Sequence, residues 1–145
     1  MQKIIVSACL LGTPCRYDGA SKPCEKVIAL QKHFTLIPVC PEVMGGLSTP
    51  RTPAERQGNR VVTGDGQDVT AAYRKGAEAV LEKAKHEGCN IAVLKEKSPA
   101  CGSGKVYDGT FSKTLTEGYG VCAEYLLQSG IRVIGESEIE KLKEK

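Results

Sequence analysis

The chain has 145 residues, 41% of them hydrophobic and 26% charged, and its 20 Lys and Arg outweigh 17 Asp and Glu for a net charge of +3. That is the length of one domain, with enough apolar side chains for a core built mainly from aliphatics, since Trp is absent and Phe occurs twice. The two signs of charge are interspersed rather than blocked, which argues against a nucleic-acid partner, and no apolar run approaches the roughly 18 residues of a membrane helix.

The N-terminal "MQKIIVSACLLG" carries one Lys and a short apolar run that Ser7 and Cys9 interrupt and Pro14 soon follows. It reads as a buried first strand over 3–12 rather than as a signal peptide, and a cytoplasmic protein is expected. A Gly/Pro-rich loop follows, then a helix over 24–34 and a second strand over 34–40, whose Pro38 calls for an edge position or a bulge. The segment "PEVMGGLSTPRTPAERQG" reads as loop with at most one helical turn. Residues 59–70 read as a small hairpin around Gly64-Asp65-Gly66.

A helix over 70–87 is the clearest element, with Asp68 or Thr70 to cap it and Gly88 to stop it. The third strand starts at Cys89 and runs into the Gly/Ser/Pro loop of "KEKSPACGSG"; a second long loop follows. A helix over 119–130, a fourth strand over 131–136 and a terminal helix opened by a Ser137–Glu140 capping box complete the chain. Short apolar strands alternating with helices predict an α/β domain spanning 1–145, a Rossmann-like, mostly parallel sheet with helices on both faces, plus the small hairpin.

Seven cysteines in a reducing compartment suggest metal ligands, catalysts or buried filler more than disulfides. Cys9, Cys40 and Cys101 each fall at or just after a predicted strand end. Parallel strands end on one edge, the edge where open α/β sheets bind ligands. No C-x₂₋₄-C knuckle, C-x-x-C pair or ferredoxin run is present. What remains is a cluster on distant thiolates, or cysteine as core filler. Cys89 and Cys122 read as core, and Cys15 as the most plausible spare ligand beside Cys24. "RYDG" (16–19) and "VYDG" (106–109) echo each other, as two similar turns or as parts of one site. His33 and His86 read as surface residues.

"SACLLGTPCRYDG", "PVCPEVMGGLSTPRTPAE" and "LKEKSPACGSGKVYDGTF" together resemble the bacterial thiouracil desulfidase family, long filed as a domain of unknown function, and the likeness extends over nearly the whole chain. The resemblance implies a [4Fe-4S] cluster on Cys9, Cys40 and Cys101, with the fourth iron open to the sulfur of a thiolated nucleobase, and catalytic assistance from Glu42 and Ser98. In that reading sulfide leaves by non-redox hydrolysis and a carbonyl remains. Arg51, Tyr17 and Tyr107 are candidates to line the pocket, the tyrosines by stacking on a planar base. The rival readings are a non-catalytic sulfur or metal carrier, a zinc or thiol-redox protein, and a small-molecule-binding domain whose cysteines are core.

Overall fold

The computed structural model describes residues 1–143. β1 (Gln2–Ser7) lies between β2 (Phe34–Val39) and β5 (Ile91–Leu94), with β8 (Arg132–Gly135) beyond β5, so the central sheet has the order β2-β1-β5-β8 with every pairing parallel. β2 is an edge strand, as Pro38 required: it sits opposite Val6, and its missing N–H leaves no gap inside the sheet.

The sheet is covered on both faces. This is why β1, β5 and β8 carry runs of buried Ile, Val, Leu and Ala rather than alternating patterns, while the edge strand β2 is only partly buried. Successive side chains of β1 point to opposite layers. Ile5 joins Val39, Ala92 and Leu94 beneath α3 (Thr70–Glu87) and α4 (Val121–Gln128), whose Tyr73, Ala77, Val80, Ala84 and Leu126 complete that core. Ile4 and Val6 join Val93 and Ile134 on the other face. There they meet α1 (Glu25–Ile28), its 3₁₀ continuation Ala29–Lys32 and the C-terminal 3₁₀ segment Glu136–Lys143, through Val27, Leu30, Ile139 and Leu142. The expected α/β class with both faces covered is the observed one.

Local details differ from expectation. The first strand stops at Ser7, and Ala8–Leu11 form a 3₁₀ turn, so Cys9 stands on a turn just past the strand. The hairpin lies one strand earlier than its Gly-Asp-Gly suggests. β3 (Ala54–Gln57) pairs with β4 (Arg60–Thr63) through a turn at Gly58-Asn59, and after Gly66 the chain returns only as far as a single bridge between Val62 and Asp68. The expected long loop after Cys101 contains a second hairpin, β6 (Lys105–Tyr107) with β7 (Leu115–Glu117). The terminal helix is a 3₁₀ segment bent at Glu138, and the last two residues of the predicted helix lie outside the described ones. Instead of closing a capping box, the Ser137 hydroxyl donates to the Glu96 carboxylate past the end of β5.

Candidate active site and metal centre

The parallel sheet delivers its three cysteines to one rim. Cys9 follows β1 on the 3₁₀ turn; Cys40 follows β2 and precedes α2 (Pro41–Met44); Cys101 lies in the turn after β5. All three line a single cavity of ≈ 550 Å³. Glu42, Ser98, Arg51, Tyr17 and Tyr107 line the same cavity, while Cys24 packs against the core instead. Cys15 lines it too, whereas Cys89 and Cys122 are buried in the core. His33 and His86 are exposed.

The thiols are poorly solvated and crowd one another. Burial pushes up the Cys9 thiol, and the neighbouring Cys40 adds to the effect. The same two causes, in the same order, hold Cys15 up at about 12. Cys101 is 4% exposed and its thiol stands well above the ordinary value, first from burial and then from Cys122. The hydroxyl of Ser7 opposes this by donating to Cys101 while it accepts the N–H of Lys95 at 2.8 Å. Ser7 thereby links the ends of β1 and β5 beneath the third thiol. Among the described residues no group of three or more His, Cys, Asp or Glu side chains is arranged to hold a single metal ion. Tetrahedral zinc would need its ligands within about 2.3 Å of one point. Soft thiolate donors fit an iron–sulfur cluster, and they fit zinc or Cu(I) as well.

Glu42 occupies the first turn of α2, behind Pro41 at the position where a proline's missing N–H costs nothing. Its Oε2 accepts a 2.6 Å bond from the Tyr73 hydroxyl and a 3.4 Å contact from Arg51 Nε. Arg51 is almost fully enclosed, its side chain 7% exposed. Its guanidinium also donates to the Cys15 carbonyl at 3.0 Å, the Ser48 carbonyl at 3.2 Å and Thr49 Oγ1 at 3.1 Å. The Cys15 carbonyl accepts from the Cys40 thiol as well, at 3.7 Å. Arg51 is thus an internal tie that joins the Cys15 loop to the Glu42 turn.

Ser98 shapes the third cysteine's loop. Its Oγ accepts the N–H groups of Ala100 and Cys101, both at 3.1 Å, and its carbonyl accepts from Gly102 at 2.8 Å. The two Tyr-Asp-Gly segments share an aspartate that bonds the N–H two residues on and a left-handed glycine, although the first is closed by the Gly19 N–H donating to the Arg16 carbonyl and the second extends from β6. Asp18 accepts the N–H of Ala20 and Asp108 that of Thr110, each at 3.0 Å, and Gly19 and Gly109 take positive φ of 77° and 93°. Both turns bring their tyrosine to the cavity wall, so turn chemistry and a shared place coincide. The second turn is pinned by Glu55, which accepts from Gly109 at 3.0 Å and from Phe111 at 3.2 Å.

Ser7, Glu55 and Tyr73 had no part in the sequence reading of the site. Ser7 sits inside the apolar first strand, Glu55 precedes the recognised hairpin, and Tyr73 falls on the buried stripe of α3, where an aromatic reads as core.

Three comparisons bear on this arrangement. The chain is 43% identical to the "Uncharacterized protein YbbK" of Bacillus subtilis (strain 168) over 149 residues, covering 96% of this chain and 99% of that one. A solved structure described as the [4Fe-4S]-dependent thiouracil desulfidase TudS matches with a TM-score of 0.94 at 48% identity, across 99% of this chain and 96% of that one. The sequence profile of the 2-thiouracil desulfurases matches residues 4–138, and the chain belongs to that family.

Proposed function

We propose that the chain is one iron–sulfur-binding domain that removes sulfide from a thiolated nucleobase such as thiouracil, with Cys9, Cys40 and Cys101 holding a [4Fe-4S] cluster that keeps one iron open. The observation that carries this reading is the convergence of those three thiols and the Glu42 carboxylate on one cavity. Family membership and the [4Fe-4S]-dependent desulfidase at 48% identity support it.

When bound, such a cluster supplies a thiophilic Lewis acid for the exocyclic sulfur. The chain's own residues supply position and proton transfer. Glu42, two residues from Cys40 and held by Tyr73 and Arg51, takes a proton from water as the water oxygen bonds to the sulfur-bearing carbon. It returns that proton to the sulfur as the carbon–sulfur bond breaks, and the proton left on the added oxygen departs as the carbonyl forms, completing H₂S. C=S plus H₂O becomes C=O plus H₂S; no electrons are gained or lost, and the step is a hydrolysis. Ser98, which accepts two backbone N–H bonds, still has its own hydroxyl proton to offer to the ring or to the sulfur. Tyr17 and Tyr107, at the wall, present rings against which a planar base stacks.

The test is anaerobic reconstitution followed by iron and sulfide analysis and a multiple-turnover assay on 2-thiouracil. The expected result is about four iron and four sulfide per chain with many equivalents of uracil released. A loaded chain that releases no more than one equivalent would instead be a sulfur carrier.

A further inference from the structure

We infer that Tyr73 is a positioning residue for Glu42: its hydroxyl fixes one carboxylate oxygen so that the other is left to carry the proton. The inference rests on the proposed function and adds to it the residue that makes Glu42 a directed base.

Both polar contacts to the Glu42 side chain fall on the same atom. The Tyr73 hydroxyl and Arg51 Nε each reach Oε2, and among the described residues no hydrogen bond is made to Oε1. A carboxylate pinned through one oxygen by two donors from different elements loses its rotational freedom. Its second oxygen then faces one direction, and Glu42 lines the cavity. The Glu42 side chain is 15% exposed, so little bulk water competes for these bonds.

Tyr73 is built for this single contact. It is 2% exposed and lies on the stripe of α3 that also buries Ala77, Val80 and Ala84. Its ring belongs to the core, and its hydroxyl is the one polar atom that stripe sends toward the sheet rim. A buried phenol without an acceptor would be costly, and Glu42 is the acceptor. Burial, followed by the charge of Glu42, drives the phenol's pKa up, so Tyr73 stays a donor at any working pH.

The reach is set by the backbone. A Cβ on Gly76, three residues after Tyr73, would stand 1.8 Å from the Pro41 carbonyl oxygen; one on Gly45, three residues after Glu42, would stand 2.0 Å from that of Ala72. Residues three apart share a helix face. α3 gives Gly76 to the close approach and Tyr73 to the bond beside it, and α2 gives Glu42, with Gly45 just past its end.

The experiment compares wild type, Tyr73→Phe, Glu42→Gln and the double variant, each reconstituted anaerobically. Tyr73→Phe removes one oxygen atom and leaves the ring in place. Expected are a fall in kcat of about 10- to 100-fold, a KM for 2-thiouracil within about twofold of wild type, and unchanged iron content. A spectroscopic readout accompanies the kinetics. The Glu42 carboxylate stretch, isolated by subtracting the infrared spectrum of the matching Glu42→Gln protein, should shift in the Tyr73→Phe background. Undiminished kcat, an unmoved band, or loss of iron would each overturn the inference, the last because the hydroxyl would then be holding the centre together. If loaded wild type leaves 2-thiouracil untouched, it is the proposed function that falls, and the infrared band alone decides whether Tyr73 governs the carboxylate.

Discussion

Gly76 of α3 and Pro41 of α2 meet backbone to backbone, with no room between them for a methyl group. α2 is a single turn, too short to hold a place of its own. It nevertheless carries Glu42 and directly follows Cys40. The contact with α3, an 18-residue helix, registers that turn against the rim of the sheet.

Gly76→Ala separates this contact from helix propensity by sign. In a free helix the change stabilises by about 1 kcal/mol. Here the added Cβ meets backbone, which cannot rotate away, and overpacking of this kind costs about 1–3 kcal/mol. The urea midpoint should therefore fall, and iron uptake should weaken as Cys40 and Glu42 are displaced. A raised midpoint would show that the two helices do not meet as described.

Single Cys→Ser replacements should divide the seven thiols into two classes. Cys9→Ser, Cys40→Ser and Cys101→Ser each remove a cavity-lining sulfur, and reconstituted protein should hold substoichiometric iron and lose its brown colour. Cys89→Ser should load normally, because Cys89 sits at the far, N-terminal end of β5, although it loses some stability. Cys15→Ser is the sharper case. Cys15 gives Arg51 and Cys40 its backbone carbonyl, which the change preserves, and its thiol also bonds that of Cys40, a contact a serine hydroxyl can still make. Full iron content is expected, and its loss would make the centre a four-thiol one.

Ser98→Ala deprives the N–H groups of Ala100 and Cys101 of a shared acceptor. A loss of about 1–3 kcal/mol is expected, together with slower iron uptake, since Cys101 rides on that loop. Ser98→Thr keeps the acceptor and should restore the urea midpoint. Turnover measured on Ser98→Thr then shows how much of the serine's effect is loop geometry and how much is contact with the base.

The rim itself was legible in the sequence. β1 and β5 are short Ile/Val/Leu-rich runs with buried ends, β2 is a partly exposed edge run, and Cys9 and Cys40 follow their strands closely while Cys101 lies in the loop after β5. The two Tyr-Asp-Gly turns were legible because Asp-Gly has few backbone options. The supports were not. Tyr73 has the spacing of an ordinary core residue, and only the position of α2 gives its hydroxyl an acceptor. Arg51 reads as a candidate for the pocket wall but not as a tie, because beyond its neighbours Ser48 and Thr49 it reaches Glu42 and Cys15 on two other segments. The β6–β7 hairpin leaves no signal because every residue of β7 is exposed, so there is no apolar alternation to read. The first hairpin reads one strand too late because Gly64-Asp65-Gly66 is the stronger turn signal, while the main pairing reverses at Gly58-Asn59.

A last prediction concerns the start of α3, the helix that carries Tyr73. Asp68 Oδ1 accepts from the Thr70 hydroxyl at 2.5 Å and the Thr70 N–H at 2.9 Å, and Oδ2 accepts from Arg60 at 2.8 Å. These donors, Thr70 first, lower the carboxyl from 3.8 to about 2. The folded value lies below the unfolded one, so between those two pH values the unfolded chain binds more protons and stability falls as pH falls. The contribution is complete above about pH 5 and is mostly lost by about pH 2. Asp68→Asn keeps an acceptor for the Thr70 N–H but cannot ionise. The gap in Tm between wild type and Asp68→Asn should therefore be constant from about pH 7 to about pH 5 and close progressively toward about pH 2. Taking the difference cancels the other depressed carboxylates, Glu87, Asp108 and Glu138, which titrate in both proteins. Thermal melts across that range decide the matter: a gap that stays constant all the way down would mean that the charge on Asp68 does not anchor the helix.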